Sequence, residues 1–187
     1  MTLEMEKLMI KKILIAIAVI VVVFLIVVAL QPGDFRVART ATMSAPASAV
    51  FAQVNELRNW EAWSPWAKLD PAAKNAFEGP PAGTGAIFRW AGNNQVGEGS
   101  MTITESRPSE LVRFKLEFLK PMAGTSTTEF TFKPGGHQTT VTWSMSGENN
   151  FIAKAMCLFM SIDKMVGGQF EQGLAAMKSI VEAAPKK

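Results

Sequence analysis

The stretch Asn149–Ala184, NNFIAKAMCLFMSIDKMVGGQFEQGLAAMKSIVEAA, decides how the rest of this chain is read. Its apolar residues Phe151, Ile152, Ala155, Leu158, Phe159, Ile162, Val166, Phe170, Leu174, Met177, Ile180 and Val181 recur at three- and four-residue steps. That spacing places them along one stripe of a long helix. Gly167-Gly168 interrupts the run. Each Gly costs about 1 kcal/mol against Ala in a helix interior, so the pair predicts a kink. The first half, Phe151 to Met160, is apolar nearly all round and broken only by Lys154. A helix gripped by a sheet keeps a polar outer face. This surface is therefore either covered by the Lys120–Gly124 loop, or it lines a Met-rich cavity or leans on a bilayer.

Working back from that helix, the chain alternates strands and turns. Phe35, Val37, Arg39, Ala41 and Met43 point one way in a first strand. Ser44-Ala45-Pro46 is a helix entry with Ser44 as N-cap, and Ala47 to Leu57 puts Val50, Phe51, Val54 and Leu57 on one face. Pro65 ends the Trp60–Trp66 segment. From Asn75 the turns at Gly79–Gly85, Gly92–Asn94, Arg107–Ser109, Lys120–Gly124 and Lys133–Gly136 separate short strands, the pattern of an antiparallel meander. Phe114, Leu116, Phe118, Phe130, Phe132, Val141, Trp143 and Met145 hold alternate positions, opposite Arg113, Lys115, Glu117, Glu129, Thr140 and Thr142. One face is apolar and the other wet, as in a sheet covered on one side.

Ahead of the strands, Ile13 to Leu30 carries no polar side chain. As a helix it measures roughly 27 Å at about 1.5 Å per residue, close to the hydrocarbon thickness of a bilayer. A cleaved signal and a buried core helix are the rivals. The run exceeds a usual signal core, and Val27-Val28-Ala29 is only a tolerable cleavage site. The reading taken is a short basic tail (1–12), a transmembrane helix (13–30), a linker (31–34) and a folded domain (35–184). Lys7, Lys11 and Lys12 before the span outnumber Arg36 and Arg39 after it. That bias puts the N-terminus in the cytoplasm and the domain outside it.

Charge and motifs exclude several functions. The chain has 19 Lys and Arg against 16 Asp and Glu; residues 1–33 hold three Lys and two Glu, which leaves the domain at +2. No basic block stands out, which argues against nucleic acid as partner. The single Cys157, between Met156 and Leu158, reads as a buried inert thiol and rules out an intrachain disulfide. The only His, His137, sits at a hairpin exit as an exposed turn residue, so no zinc site is expected. No nucleophile elbow, P-loop or dinucleotide fingerprint is present; Gly97-Glu98-Gly99 lacks the third Gly and the helix that must follow.

The order strand, two short helices, six antiparallel strands and long C-terminal helix, with Ala45-Pro46, Val50-Phe51, Trp60-x2-Trp63-Ser64-Pro65-Trp66 and Thr140-Val141-Thr142-Trp143, resembles the polyketide cyclase/dehydrase-like branch of the START / Bet v 1-like (SRPBCC) superfamily. The resemblance covers about residues 35–183. It implies an α+β helix-grip fold, a curved antiparallel sheet wrapped around the last helix, with a hydrophobic cavity between them. It also implies binding of lipids, quinones, sterols or polyketides, and in a minority cyclisation or dehydration. The membrane anchor lies outside that pattern.

The expected function is a single-pass, membrane-anchored domain that binds a hydrophobic small molecule or lipid by partitioning, without cofactor or metal. Its cavity would be lined by Trp63, Trp90, Phe114, Phe118, Phe130 and Trp143 on the domain and by Met156 and Met160 on the closing helix. Trp60, Trp63 and Trp66 equally serve as a staple between the small helices and the sheet. A cyclase- or dehydratase-type enzyme is the alternative, and it needs an inward Glu98, Arg113, Glu117 or Glu129 with a shifted pKa. A non-enzymatic interaction module with a filled core is the third reading.

Overall fold

A computed structural model describes residues 2–183, and they group into two compact units. One unit joins residues 34–148 with 162–183; the other joins residues 2–33 with 149–161.

The first unit is a seven-stranded antiparallel sheet, with β1 (Asp34–Met43), β2 (Lys74–Glu78), β3 (Ile87–Ala91), β4 (Glu98–Arg107), β5 (Leu111–Lys120), β6 (Gly124–Gly135) and β7 (Gln138–Glu148). Strand order is β1-β7-β6-β5-β4-β3-β2, so the first strand pairs with the last and the rest form a meander. Across the ladders, residues of one face fall into rows. Arg39, Trp143, Phe130 and Val112 make one row; Val37, Met145, Thr128, Phe114 and Ile103 make the next. Phe35, Gly147, Ser126, Leu116, Met101 and Phe88 follow, then Gly124, Phe118, Gly99 and Trp90. The apolar set anticipated from the alternation is this inner face.

Two short helices, α2 (Ala47–Asn55) and α3 (Trp60–Trp63), and α5 (Ile162–Ala183) cover part of it. Ser44 does not cap α2. Pro46 holds that position with no side-chain bond, and the Ser44 N–H donates to Glu182 instead. The α5 helix runs along β1, an edge strand. Arg39 donates to Asp163 and Glu171, Lys178 donates to the Thr42 carbonyl, and Glu182 accepts from Ser44. Covering an edge in this way blocks its pairing with another chain.

The long closing helix is two helices. After α4 (Phe151–Cys157) the backbone tightens, Leu158 N–H reaching the Ala155 carbonyl and Phe159 N–H that of Met156, and α5 starts at Ile162. The break falls there and not at Gly167-Gly168, which lies inside α5. Gly167 marks a close approach: a Cβ there would land on the Arg39 guanidinium, whereas one at Gly168 meets nothing within 4 Å. Ser161 two residues before Asp163 is a helix-start pattern that the continuous apolar stripe hides.

In the second unit, α1 (Thr2–Ala29) is an unbroken apolar helix, and Glu4–Ala29 is long and apolar enough to cross a membrane. A signal sequence passes the same test of length and composition. The α4 helix opens with Asn150 accepting from the Ala153 N–H, and it packs against α1. The Asn149 N–H donates to the Gly33 carbonyl at 2.8 Å, which ties the exit of α1 to the entry of α4.

Candidate functional site

The inner face of the sheet divides into a filled end and a half-buried end. At the filled end Trp60 and Trp63 pack on each other and on Phe130 and Trp143, with ring centroids 4.5 to 6.1 Å apart. Trp143 is stacked between Phe130 at 4.7 Å and Phe170 of α5 at 4.0 Å. Edge-to-face and offset rings at such spacings satisfy the aromatic quadrupole and add about 0.5–1.5 kcal/mol per pair beyond area burial. The tryptophan segment is thus a staple that fills the sheet. Of the expected lining residues, Trp63, Phe114, Phe130 and Trp143 all stand in this dense cluster at 1% exposure or less.

Trp90 and Phe118 lie at the other end, half-buried, with Phe35, Leu116, Phe88 and Phe77 beside them. Between these rings the rows carry small residues, Gly147, Ser126, Gly124 and Gly99. Trp90 lies down over Gly99, where a Cβ would strike its ring, and its indole N–H donates to the Val96 carbonyl at 3.1 Å. Phe77, Phe88 and Trp90 form a ladder of rings at 5.1 and 5.8 Å, and Phe118 meets Trp90 edge-on at 6.1 Å. Phe35 likewise lies against Gly147, so the strip is a half-buried aromatic surface, suited to flat or branched apolar groups. Met156 and Met160, the other two expected lining residues, belong to the second unit and are 39% and 44% exposed.

Three buried polar atoms lack a partner among the described residues: Thr128 Oγ1, Trp143 Nε1 and Gln169 Oε1. Thr128 and Trp143 are diagonal neighbours on adjacent strands, and Gln169 precedes the Phe170 that stacks on Trp143. By contrast the indoles of Trp60, Trp63 and Trp90 all donate to backbone carbonyls. An unmade buried hydrogen bond costs about 1–3 kcal/mol, so such groups call for a water or a guest. Together they offer one N–H donor, one carbonyl acceptor and one hydroxyl that does either. Sequence patterning places Thr128 and Trp143 on the inner face but gives no sign that they go unpartnered.

The ionisable residues are arranged differently. Glu105, Glu117 and Glu129 lie on the outer face, where Arg113 binds both Glu105 and Glu129, and Lys115 binds Glu117 at 2.7 Å. These bonds hold Arg113 further into its charged form. Glu98 pairs with Lys120 at the strand end and raises the ammonium's pKa. Arg39 is the inward charge; hydrogen bonds to Asp163, then Glu171, raise its pKa, and the Asp163 carboxyl is held below the usual carboxylate range by the same contact. His137 is exposed, Cys157 is half-buried, and no described cluster of His, Cys, Asp and Glu is arranged to hold a metal ion. A groove of about 170 Å³ by Leu57, Arg58, Phe77 and Pro80, at the Phe77 end of the ladder, is smaller than the roughly 300–1,000 Å³ of typical small-molecule sites.

A curved meander closed by its first strand and clasped by a C-terminal helix, with a mainly apolar inner face, defines the helix-grip fold. The sequence profile described as polyketide cyclase / dehydrase and lipid transport matches residues 34–182, and the chain belongs to that family. Solved structures share the fold at low identity. Protein CV1439 from Chromobacterium violaceum matches with a TM-score of 0.58 and 16% identity over 82% of this chain and 100% of its own. The Aha1 dimer structure from Colwellia psychrerythraea matches with 0.58 and 14%, over 81% and 99%. The di-domain ARO/CYC BexL of the BE-7585A biosynthetic pathway matches with 0.60 and 17%, over 85% of this chain and 53% of its own. No curated protein matches the chain by sequence at a significant level.

Proposed function

We propose that this chain is a single-pass membrane-anchored binding protein for an uncharged, mainly apolar small molecule or lipid. The guest lies along the half-buried strip, and its one polar end meets Thr128, Trp143 and Gln169. The observation that carries this reading is a half-buried aromatic strip whose neighbouring rows hold Thr128 and Trp143, each with a buried polar atom that lacks a partner among the described residues. Apolar area leaving water supplies the affinity at about 25 cal/mol per Å², and the polar end fixes the orientation. Family membership supports a hydrophobic guest. The mechanism is partitioning: Glu98, Arg113, Glu117 and Glu129 are already committed to ion pairs, and catalysis by any of them would require its pair to open. The anchor reading rests on the length and apolarity of α1, and the Lys and Arg bias of three before the span against two after it supports a domain outside the cytoplasm.

The test is native mass spectrometry of the full chain purified in mild detergent, beside Leu116→Trp, which fills the strip. A lipid-sized adduct on the parent protein that disappears in Leu116→Trp supports the reading. A folded parent protein with no adduct, and no uptake when offered a membrane extract, removes it.

A further inference from the structure

The second unit carries a surface that the binding strip does not account for. Phe151, Ile152, Met156, Phe159 and Met160 are 48%, 60%, 39%, 79% and 44% exposed. Phe151, Ile152 and Met156 lie on α4, with Ile152 and Met156 one turn apart, and Phe159 and Met160 follow in the turn after it, so the exposed apolar residues are contiguous in the chain. Large exposed apolar faces of this kind are rare on soluble proteins and mark an interaction surface. What covers it follows from where α4 is tied. The Asn149 N–H, two residues before α4, donates to the carbonyl of Gly33, four residues past Ala29 where α1 ends. Val28, the penultimate residue of α1, is fully buried, unlike the rest of the described span, on the helix that packs against α4. Residues 149–161 contain no carboxylate and one cation, Lys154, whose ammonium lies about 4.0 Å from where a Cβ on Gly33 would stand.

We infer that α4 and the turn after it lie in the interfacial layer of the same bilayer that α1 crosses, with Phe151, Ile152, Met156, Phe159 and Met160 entering the acyl boundary. The inference rests on the anchor in the proposed function. An apolar helix face held at the mouth of a membrane span meets headgroups before it meets any soluble partner. Such helices sink about 5–10 Å into the boundary region, and phenylalanine and methionine suit that depth. Lys154 is long enough to keep its charge at the headgroups while its stem stays apolar. The role that results is a second membrane contact beside the span.

Site-directed spin labelling tests it on the full chain in phosphatidylcholine vesicles containing phosphatidylglycerol. In a Cys157→Ser background, single cysteines replace Ile152, Met156 and Phe159, with Val21→Cys in α1 and Thr127→Cys on the outer sheet face as references. Collision with oxygen and with a water-soluble nickel complex is read at each site. The expected result is several-fold higher oxygen over nickel accessibility at 152, 156 and 159 than at 127, in the same sense as at 21. Nickel accessibility at 156 and 159 equal to that at 127 overturns the inference and leaves the anchor intact. Labels shielded from both reagents also overturn it, in favour of a protein cover. A Val21 label open to nickel removes the anchor, and the inference goes with it. Ligand uptake on the same samples reports on the binding strip separately.

Discussion

Trp143 lies flat against Phe170, ring centroids 4.0 Å apart and planes 12° from parallel. This one stack joins the last strand to the closing helix. It is possible because Gly173, one turn on, leaves room for the edge of the indole; a Cβ there would stand 2.8 Å from it. Phe170 also meets Trp66 edge-on, so the tryptophan segment, the sheet and α5 share one ring cluster.

Removing the helix side of that stack should therefore be costly. Phe170→Ala is expected to destabilise the domain by about 3–5 kcal/mol, the range for deleting a buried aromatic, as read from urea midpoints in non-ionic detergent. Phe118→Ala, on a half-buried ring, should cost clearly less. Equal losses at the two positions would mean that the strip is as tightly packed as the cluster.

Gly167 and Gly168 are predicted to respond differently. Gly167→Ala places a methyl on the Arg39 guanidinium and forces that side chain off Asp163 and Glu171, so the loss of these partly exposed pairs offsets the gain in helix propensity. Gly168→Ala meets open space and gains helix propensity, about 1 kcal/mol in the stabilising direction. Chemical denaturation of the two variants side by side separates a close approach from a flexible joint; a hinge would be stiffened by alanine at either site.

Most of this architecture is legible in the sequence because its signals are local. Strict alternation in Phe114–Phe118 and Phe130–Phe132 sets the inner face, and the Pro/Gly turns set the strand ends. The interruption near Ser161 is hidden because Leu158, Phe159 and Ile162 continue the helical spacing across it. Periodicity reports which side chains share a face, but it does not report that two helices share one stripe. The candidate site is less legible for a different reason. Trp63, Trp143, Trp90 and Phe118 look alike in sequence, yet two fill the core and two border the strip. The difference is set by which helix covers each row, and α5 follows β1 instead of crossing the middle of the sheet. Thr128 is one of many strand threonines, and its lack of a partner is a tertiary fact.

The Arg39–Asp163 contact predicts a pH dependence. The folded-state carboxyl of Asp163 titrates below its ordinary value because Arg39 hydrogen-bonds and attracts its charged form. A depressed carboxyl contributes stability that is complete above its unfolded pKa, about 3.9 for Asp, and is lost as pH falls through the folded value. Asp163→Asn should therefore lie below the parent protein in urea midpoint at pH 7, and the gap should close as the pH drops under about 3.9. The pair is partly open to solvent, so a modest gap is expected. A gap of constant size down to strong acid would show that asparagine disturbs packing and not charge.

Thr128 offers the sharpest separation between a guest site and a structural flaw. Its hydroxyl is buried at 5% exposure without a described partner, so the unliganded domain bears a desolvation cost of about 1–3 kcal/mol there. Thr128→Val keeps the shape and removes the hydroxyl. If a guest supplies the missing hydrogen bond, the variant is at least as stable as the parent protein when empty, and it binds the copurified adduct more weakly, by about tenfold for a bond of roughly 1.4 kcal/mol. Stability follows from thermal melts of the delipidated chain, and binding from competition between parent and variant for the same extract. A variant that melts lower when empty would place an ordered water or protein partner on that hydroxyl, and unchanged uptake would move the polar end of the guest elsewhere on the strip.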